Sequence, residues 1–457
     1  MIRNVFLILF SVSVFSQEFD DCKTNLSIFA EYYKVKNFDS AYEPWMKVRN
    51  DCPKLNPAIY FQGYRMLDYF IKNSEGDTKN LYQKDLIKLY DEWLLNFPSY
   101  NGKSIKGQII SNRAQALLDN NLASTLEIFN EFDKAFRIDP VSFDDPKPLY
   151  NYFKTYFQLY KRNEADITLS MVFEKYDDIT ERFNKVIDGY TVQLDKILNK
   201  ENSGVALTSR ETRNKRVYEI NSRASSIYLK NLNAIIEKES SCENLIPLYR
   251  KNLEFNKSNA LWLNRAASRM DSKDCSDDPL FVELVELLHN LNPSANSAYY
   301  LGLLNDKKNK SAEALKFYNE SIELETDNLK KAKILYKIAT KFKKSNQFYK
   351  SREYAKKALA YQPSMGKAYL LIANLYASSA NGCGKTQFEK RAVYWLAANM
   401  ARKAAKVDPT IRKTAATSAN SYESRAPSKT DIFTEGNSGN VINFNCWIGL
   451  SVTVPSL

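Results

Sequence analysis

Residues 295–328, ANSAYYLGLLNDKKNKSAEALKFYNESIELETDN, are the stretch that decides the fold predicted for this sequence. They contain two runs in which apolar and small side chains recur at helical spacing. Leu301 and Gly302 stand at the seventh and eighth positions, with Ala314 at the twentieth and Tyr318 at the twenty-fourth. In two packed antiparallel helices, small residues stand where the helices cross and large residues fill the gaps. The stretch therefore predicts one helix–turn–helix unit.

The same unit recurs elsewhere in the chain. A second copy starts near Ala332 and a third near Gly366, and an earlier copy runs from Cys22 to Pro53. Small residues at fixed offsets distinguish these copies from amphipathic helices of an ordinary bundle, and they indicate the tetratricopeptide repeat (TPR). The predicted fold class is all-α, a TPR-type α-solenoid of antiparallel helix pairs.

Two segments depart from the repeat. Residues 147–240 contain long amphipathic stretches at about 166–200 and 209–239, which predict a long-helix insert in the form of a protruding hairpin or spacer. Residues 411–425 predict a last helix, and two short β-like runs follow it at 441–444 and 447–454. A solenoid needs an atypical terminal unit to cover its last apolar face, so this tail predicts a small β-containing cap.

These observations predict five segments. They are a signal peptide (1–16), an N-terminal TPR-like lobe (17–146), the long-helix insert (147–240), a C-terminal TPR lobe (241–410), and a capping helix with a β-like tail (411–457).

The first residues have the features of a secretory signal peptide. Arg3 supplies a positive charge, residues 5–15 are apolar, and Ser16 is small enough to precede a cleavage site. The apolar run is too short to span a bilayer, although an uncleaved anchor is the alternative. We expect cleavage between Ser16 and Gln17 and a periplasmic location.

Six cysteines follow, and an exported chain can form disulfides. In chain order the candidate disulfide cysteines are Cys22, Cys52, Cys242, Cys275, Cys383 and Cys446. The first two are 30 residues apart and the next two are 33 apart, and each pair brackets two predicted helices. The start of one antiparallel helix lies beside the end of the other, close enough for a disulfide. The last two cysteines pair by elimination, and the sequence alone leaves the connectivity open.

The net charge of +12 is concentrated in the repeats, where residues 306–357 contain 15 Lys or Arg against 7 Asp or Glu. An ordinary solvated face is one explanation. The other is a groove on the concave repeat face that binds an acidic or extended peptide. The candidate groove residues are Asn296, Tyr299, Leu303, Lys307, Lys333, Tyr336, Lys337, Thr340, Lys344, Lys367, Leu370 and Asn374. Nucleic acid is not an expected partner, because no recognition motif accompanies the charge.

Motifs for catalysis and cofactor binding are weak in this sequence. His289 is the only histidine, which leaves too few candidates for most histidine-based triads and zinc sites. Gly384-Lys385-Thr386 resembles the end of a phosphate-binding loop, but Ser379 stands where that motif needs a glycine. We therefore expect no cofactor, no metal and no small-molecule substrate.

Several longer motifs resemble an uncharacterised family of exported TPR proteins of Bacteroidota. They are LNPSA (291–295), PSMGKAYL (363–370), ANGCG (380–384), FEKRAVYWL (388–396) and CWIG (446–449). The resemblance extends over roughly residues 240–457 and implies a periplasmic scaffold without an established activity.

The predicted function is a non-enzymatic periplasmic scaffold that binds a segment of a partner protein on the concave TPR face. The first alternative is a structural spacer or self-associating component of a cell-envelope complex of the secretion or gliding type. The second alternative is an envelope hydrolase, which would need a cleft of paired carboxylates.

Overall fold

The computed structural model describes residues 6–457, with side chains from residue 20 onward. The predicted signal peptide, residues 1–16, lies outside the residues whose side chains are described. The chain divides into two compact units, Met1–Arg182 and Phe183–Leu457.

The first unit consists of consecutive helix pairs. Its elements are α1 (Phe6–Lys34), α2 (Phe38–Asp51), α3 (Ala58–Asn73), α4 (Gly76–Asn96), β1 (Ser99–Tyr100), β2 (Lys103–Ser104), α5 (Lys106–Asp119), α6 (Thr125–Ile138) and α7 (Pro146–Lys161). Neighbouring helices pack in sequence as α1 with α2, α3 with α4, and α5 with α6. The short strands β1 and β2 form an antiparallel hairpin between α4 and α5. A long helix, α8 (Leu169–Asn202), begins in this unit and ends in the second.

Trp45 lies in the core of the first unit, where α2 packs against α3. Its ring is fully buried on α2, and its Nε1 donates a hydrogen bond to the carbonyl of Ile59 at 2.7 Å. A Cβ on Gly63 of α3 would lie 2.7 Å from the Trp45 ring, so this position needs glycine for the two helices to pack. Arg49, also on α2, forms ion pairs with Asp85 and Glu92 of α4 and links α2 to the following pair.

The second unit holds the strongest repeats. Its remaining elements are α9 (Ser209–Ile236), a 3-10 turn (Glu237–Ser240), α10 (Cys242–Asn256), α11 (Ala260–Ser272), α12 (Pro279–Leu291), α13 (Ala295–Lys307), α14 (Ser311–Leu324), α15 (Asn328–Lys344), α16 (Phe348–Tyr361), α17 (Gly366–Ser378), α18 (Ala380–Cys383), α19 (Gln387–Val407), α20 (Arg412–Glu423), α21 (Lys429–Glu435), β3 (Val441–Asn443) and β4 (Ser451–Thr453).

The repeat copies predicted from the sequence are helix pairs in the structure. The pairs are α13 with α14, α15 with α16, and α17 with α19. Gly302 lies where α13 and α14 cross, because a Cβ at this position would lie 2.5 Å from the ring of Tyr318. In the next pair, the Ser351 hydroxyl donates to the carbonyl of Ala339 at 2.8 Å. The predicted fold class, an all-α TPR-type solenoid with a long-helix insert and a small β-containing cap, is confirmed.

The sequence suggested that the long-helix insert protrudes as a hairpin or spacer, but in the structure it is bonded to the repeats. Within the second unit, Asp188 of α8 forms an ion pair with Lys333 at 2.7 Å, and Asp195 accepts the Ser364 amide at 2.9 Å. On α9, Glu219 forms an ion pair with Arg412 at 2.9 Å. These carboxylates hold residues 183–236 against the repeats, a long-range pairing that helical periodicity cannot reveal.

The C-terminal cap is a short antiparallel hairpin with Ile442 opposite Val452. The second predicted β-run, 447–454, is shortened to Ser451–Thr453 because a turn with Gly449 at a φ of 59° precedes it. Trp447 fixes this turn by donating from Nε1 to the Ser379 hydroxyl at 2.9 Å.

Three disulfides join the cysteine pairs expected from the sequence. Cys22–Cys52 links α1 to the end of α2, and Cys242–Cys275 links α10 to the residues that follow α11. Cys383–Cys446 links α18 to the C-terminal cap.

Candidate functional site

The candidate groove lies on the first helices of the repeats in the second unit. These helices are neighbours, since α11 contacts α13, α15 contacts α17, and α17 contacts α20. We call the surface that they form the first-helix face. The twelve predicted groove residues all lie on α13, α15 or α17.

Two of the predicted residues belong to the core. Tyr299 and Leu303 are only 2% and 3% exposed. The Tyr299 ring packs against Tyr300 and Tyr318, and burial together with the nearby Asp271 raises its pKa. A bound segment could not contact these side chains without unpacking the repeat.

Most of the predicted groove lysines already contact groups of their own chain. Lys307 Nζ lies 2.6 Å from Asp277, and Lys344 Nζ lies 3.5 Å from Asp274. Lys333 binds Asp188 of α8. Lys337 lies 5.0 Å from the centre of the Tyr299 ring, and burial lowers its pKa. Three of the five predicted groove lysines, Lys307, Lys333 and Lys344, are therefore paired with carboxylates of the second unit.

The polar candidates on α13 and α15 also have local partners. Asn296 donates to Asn264 at 3.0 Å, and the Thr340 hydroxyl donates to the Lys337 carbonyl at 2.6 Å. Tyr336 is half-buried, and burial raises the pKa of its phenol.

The candidates on α17 lie at the open end of the first-helix face. Lys367 is exposed and close enough to Asp408 to lower the pKa of that carboxyl, although burial raises it more. Leu370 packs on a cluster of small residues that includes Ala373 and Ala401. Asn374 lines a surface depression, and Lys367 forms no ion pair with a carboxylate in the described part of the chain.

This depression has a volume of about 480 Å³ and lies between α17 and α20. Most of its lining side chains carry hydroxyl, amide or guanidinium groups. The lining residues are Asn374, Ala377, Ser378, Thr417, Ser418, Ser421, Tyr422 and Arg425. We call it the α17–α20 depression.

Arg425 is the cation of the α17–α20 depression. Its guanidinium stacks over the Tyr394 ring at 5.8 Å, and its carbonyl accepts a hydrogen bond from Arg391 at 3.1 Å. No carboxylate forms an ion pair with Arg425 within the part of the chain that the structure describes. Lys307 and Lys333, by contrast, each form an ion pair with an aspartate.

Sequence reasoning assigned no binding role to the residues that α20 contributes. The sequence predicts residues 411–425 as a capping helix with Ala415, Ala416, Ala419 and Tyr422 on one face. Thr417 and Ser421 are four residues apart and share one face of α20, which is a usable signal, and Arg425 follows in the turn after the helix.

His289 lies between a serine and a glutamate, an arrangement that resembles a hydrolytic triad. Its Nδ1 lies 3.0 Å from the Ser297 hydroxyl, and its Nε2 lies 3.9 Å from Glu320. Ser297 is fully buried, however, and its hydroxyl accepts the Ser294 amide and donates to the Ser294 carbonyl. The hydroxyl stabilises the start of α13 and cannot reach a substrate carbonyl.

The Gly384-Lys385-Thr386 segment also has a structural role. It follows the helical turn α18, whereas a phosphate-binding loop follows a strand. The Glu389 carboxylate accepts the amides of Lys385 and Thr386 at 2.6 and 3.3 Å. A carboxylate therefore already occupies the amide groups that a phosphate would need.

Two further properties concern ions and membranes. No group of three or more His, Cys, Asp or Glu could hold a metal ion among the described residues. No helix in the described part of the chain is long and apolar enough to cross a membrane.

No protein-family model matches this sequence, and no curated protein matches it. Similar solved structures include a tetratricopeptide repeat protein from Parabacteroides merdae, at 12% identity over 69% of this chain and 97% of that chain, with a TM-score of 0.24. Yeast Tom70 is 14% identical over 88% of this chain and 96% of its own, with a TM-score of 0.25. A monomeric IFIT1 mutant with Gppp-AAAA is 13% identical over 73% of this chain and 76% of its own, with a TM-score of 0.30.

Proposed function

We propose that this chain is a non-enzymatic protein-binding scaffold, and that the α17–α20 depression holds a segment of the partner. The observation that supports this most is the accessible polar lining at the C-terminal end of the first-helix face. Towards α13 and α15, the same face has buried tyrosines and lysines that are paired with carboxylates. The binding surface is thus narrower than the groove proposed from the sequence.

The chemistry of the lining suits an extended polypeptide. Asn374 and the hydroxyls of Ser378 and Ser421 can donate to and accept from a peptide backbone, and the Thr417 hydroxyl, which donates to the Lys413 carbonyl, can accept from it. Arg425 can form a charge-assisted hydrogen bond with an acidic side chain of the same segment. The depression is open, so it fits one or two residues of a longer segment better than an enclosed small molecule.

Two groups that resemble parts of a catalytic triad and a phosphate-binding loop have structural roles, and this supports a non-enzymatic function. Ser297 is a buried helix-capping residue, and Thr386 caps α19 with Glu389 as its partner. The periplasmic location is supported by the apolar N-terminus and by three disulfides, which persist in oxidising compartments.

Photo-crosslinking in living cells tests the proposal. A photoreactive amino acid at Thr417 should form a discrete adduct with one partner protein, and the same amino acid at Lys316, exposed on α14, should not. Adducts of equal yield at both positions would argue against a site in the α17–α20 depression.

Arg425 gives a quantitative version of the test. Arg425→Glu should weaken the affinity for the identified partner segment by about tenfold or more, because it places two like charges together at the interface. Arg425→Lys retains the positive charge and should lose less. Unchanged affinity in Arg425→Glu would remove this residue from the site.

A further inference from the structure

In the long-helix segment 183–236, the acidic side chains are bonded to other groups, whereas most of the basic side chains are not. Each of its acidic residues is bonded within the second unit, either to the repeats or inside the segment itself. The bonds are Asp188 to Lys333, Asp195 to the Ser364 amide, Glu201 to Lys215, Glu211 to Lys200, and Glu219 to Arg412. Four of the five carboxylates are thus neutralised by a cation, and the fifth, Asp195, accepts a backbone amide.

The cations of the same segment are mostly unpaired. Apart from Lys200 and Lys215, its basic residues are exposed and form no ion pair with any residue that the structure describes. They are Lys185, Lys196, Arg210, Arg213, Arg216, Arg223 and Lys230. The segment thus carries seven exposed cations without a neutralising carboxylate, two on α8 and five on α9.

The outer side of α9 adds an apolar stripe to this charge. Val217, Ile220 and Ile227 are 46%, 47% and 53% exposed, although valine and isoleucine side chains are usually buried. Their spacing of three and seven residues places them on one helix face. Arg213, Arg216, Arg223 and Lys230 follow the same spacing, so α9 has an outer face of branched apolar side chains with cations along one edge. We call these seven residues the α9 outer face.

We propose that the α9 outer face binds an anionic phospholipid surface and places the chain peripherally on a membrane. A helix with a basic polar side and an apolar stripe has the composition of helices that lie in the membrane interface. Four or more Lys or Arg on such a helix are attracted by acidic headgroups. The face extends for roughly 25 Å from Arg213 to Lys230 along one straight helix. Exposed cations beside exposed apolar side chains suit an interface of acidic headgroups and acyl chains.

This proposal is independent of the α17–α20 depression, because it depends on a different helix and on different side chains. Asp188, Asp195 and Glu219 bond to the repeats and hold the segment in place. Glu219 is paired with Arg412, so its charge is neutralised beside the cations of α9.

Vesicle flotation with the chain from Gln17 onward tests the proposal, since the apolar residues 5–15 are then absent. The protein should float with vesicles of phosphatidylcholine and phosphatidylglycerol and should stay behind with phosphatidylcholine alone. Added salt should release it, because screening weakens attraction between exposed charges. Replacing Arg213, Arg216, Arg223 and Lys230 with Gln should reduce partitioning by more than about a hundredfold, at roughly fivefold per charge.

A control variant loses the same four positive charges from the repeats instead of from α9. Lys308, Lys310, Lys316 and Lys330 are exposed on the repeats and form no ion pair within the described chain, and their replacement with Gln should leave flotation nearly unchanged. Ile220→Ser with Ile227→Ser should reduce the flotation that persists at high salt. Equal losses in both four-residue variants, or no flotation of the wild type, would overturn the proposal. Retention on polyglutamate without flotation would also overturn it and would indicate an acidic protein instead.

Discussion

Lys333 Nζ lies 2.7 Å from Asp188 Oδ1, and this ion pair joins α15 to α8 across 145 residues of the chain. The sequence suggested that Lys333 contacts a partner protein. Its position instead shows that the long-helix insert uses part of the basic surface of the repeats. Lysines that face their own chain lose much of their attraction for an acidic ligand, and accessible groups on α17 and α20 become the better candidates for binding.

The two carboxylates that α8 directs at the repeats should differ in their contribution to stability. Asp188 and Lys333 are both partly exposed, so Asp188→Asn should lower the free energy of unfolding by less than about 1 kcal/mol. Asp195→Ala should cost about 1–3 kcal/mol, because it leaves the amide of the buried Ser364 without its acceptor. Urea denaturation of the three proteins measures the difference. Asp195→Asn retains an acceptor oxygen and should recover most of the loss, and equal costs for Asp188→Asn and Asp195→Ala would contradict the assignment.

Gly302→Ala should destabilise the repeat at residues 295–328. The added methyl group would lie 2.5 Å from ring carbons of Tyr318, whose side chain is only 1% exposed and cannot move aside. Overpacking of this kind costs about 1–3 kcal/mol, which thermal unfolding can measure. Gly382→Ala is the matched control, since a Cβ there meets no atom within 4 Å. A control that loses as much stability as Gly302→Ala would mean that the tight contact with Tyr318 is not the cause.

The fold was predictable because the contacts within each repeat join residues that are close in sequence. The glycine and the aromatic residue that meet at a helix crossing are only sixteen positions apart, as Gly302 and Tyr318 are, so their spacing is visible in the sequence. The cysteine pairs Cys22–Cys52 and Cys242–Cys275 follow from the same geometry, because each brackets one pair of antiparallel helices.

The candidate site was much less predictable. Position in a repeat indicates which face a residue occupies, but it does not show whether an aspartate from another helix already binds it, as Asp188 binds Lys333. Nor does it show that Tyr299 turns into the core, where neighbouring tyrosines enclose it. The groups contributed by α20, such as Thr417 and Ser421, enter the site only through the packing of α20 beside α17, and Arg425 enters it from the turn that follows α20.

The Cys383–Cys446 disulfide should hold the C-terminal cap in place. It closes a loop of 63 residues, and replacing both cysteines with Ala should cost about 2–4 kcal/mol by releasing that constraint on the unfolded chain. The loss should be concentrated in the cap, where Trp447 donates to Ser379. Trp447 fluorescence, obtained by subtracting the signal of a Trp447→Phe variant, should change at a lower urea concentration without the disulfide.

The Cys22–Cys52 disulfide provides the control for the cap. Replacing these two cysteines with Ala removes a constraint from the first unit, far along the chain from Trp447. The urea concentration at which the Trp447 signal changes should then match that of the wild type. If both double variants shift this signal equally, Cys383–Cys446 has no specific role in holding the cap.

Asp408 should make the stability of the second unit fall as the pH rises. Burial raises the pKa of its carboxyl above the ordinary value of 3.8, an effect that hydrogen bonds from Thr410 and Gly366 only partly offset. Between the unfolded and the folded pKa, the folded chain therefore binds more protons than the unfolded chain, and the free energy of unfolding decreases with increasing pH. Above the folded pKa this contribution is constant. Asparagine cannot titrate, so the Asp408→Asn variant serves as the reference. The stability of the wild type relative to this variant, measured by urea denaturation at a series of pH values, should fall as the pH rises through the ordinary pKa of 3.8 to the raised pKa of the folded chain. A difference that rises over this range would mean that the hydrogen bonds outweigh burial and that the pKa of Asp408 is lowered.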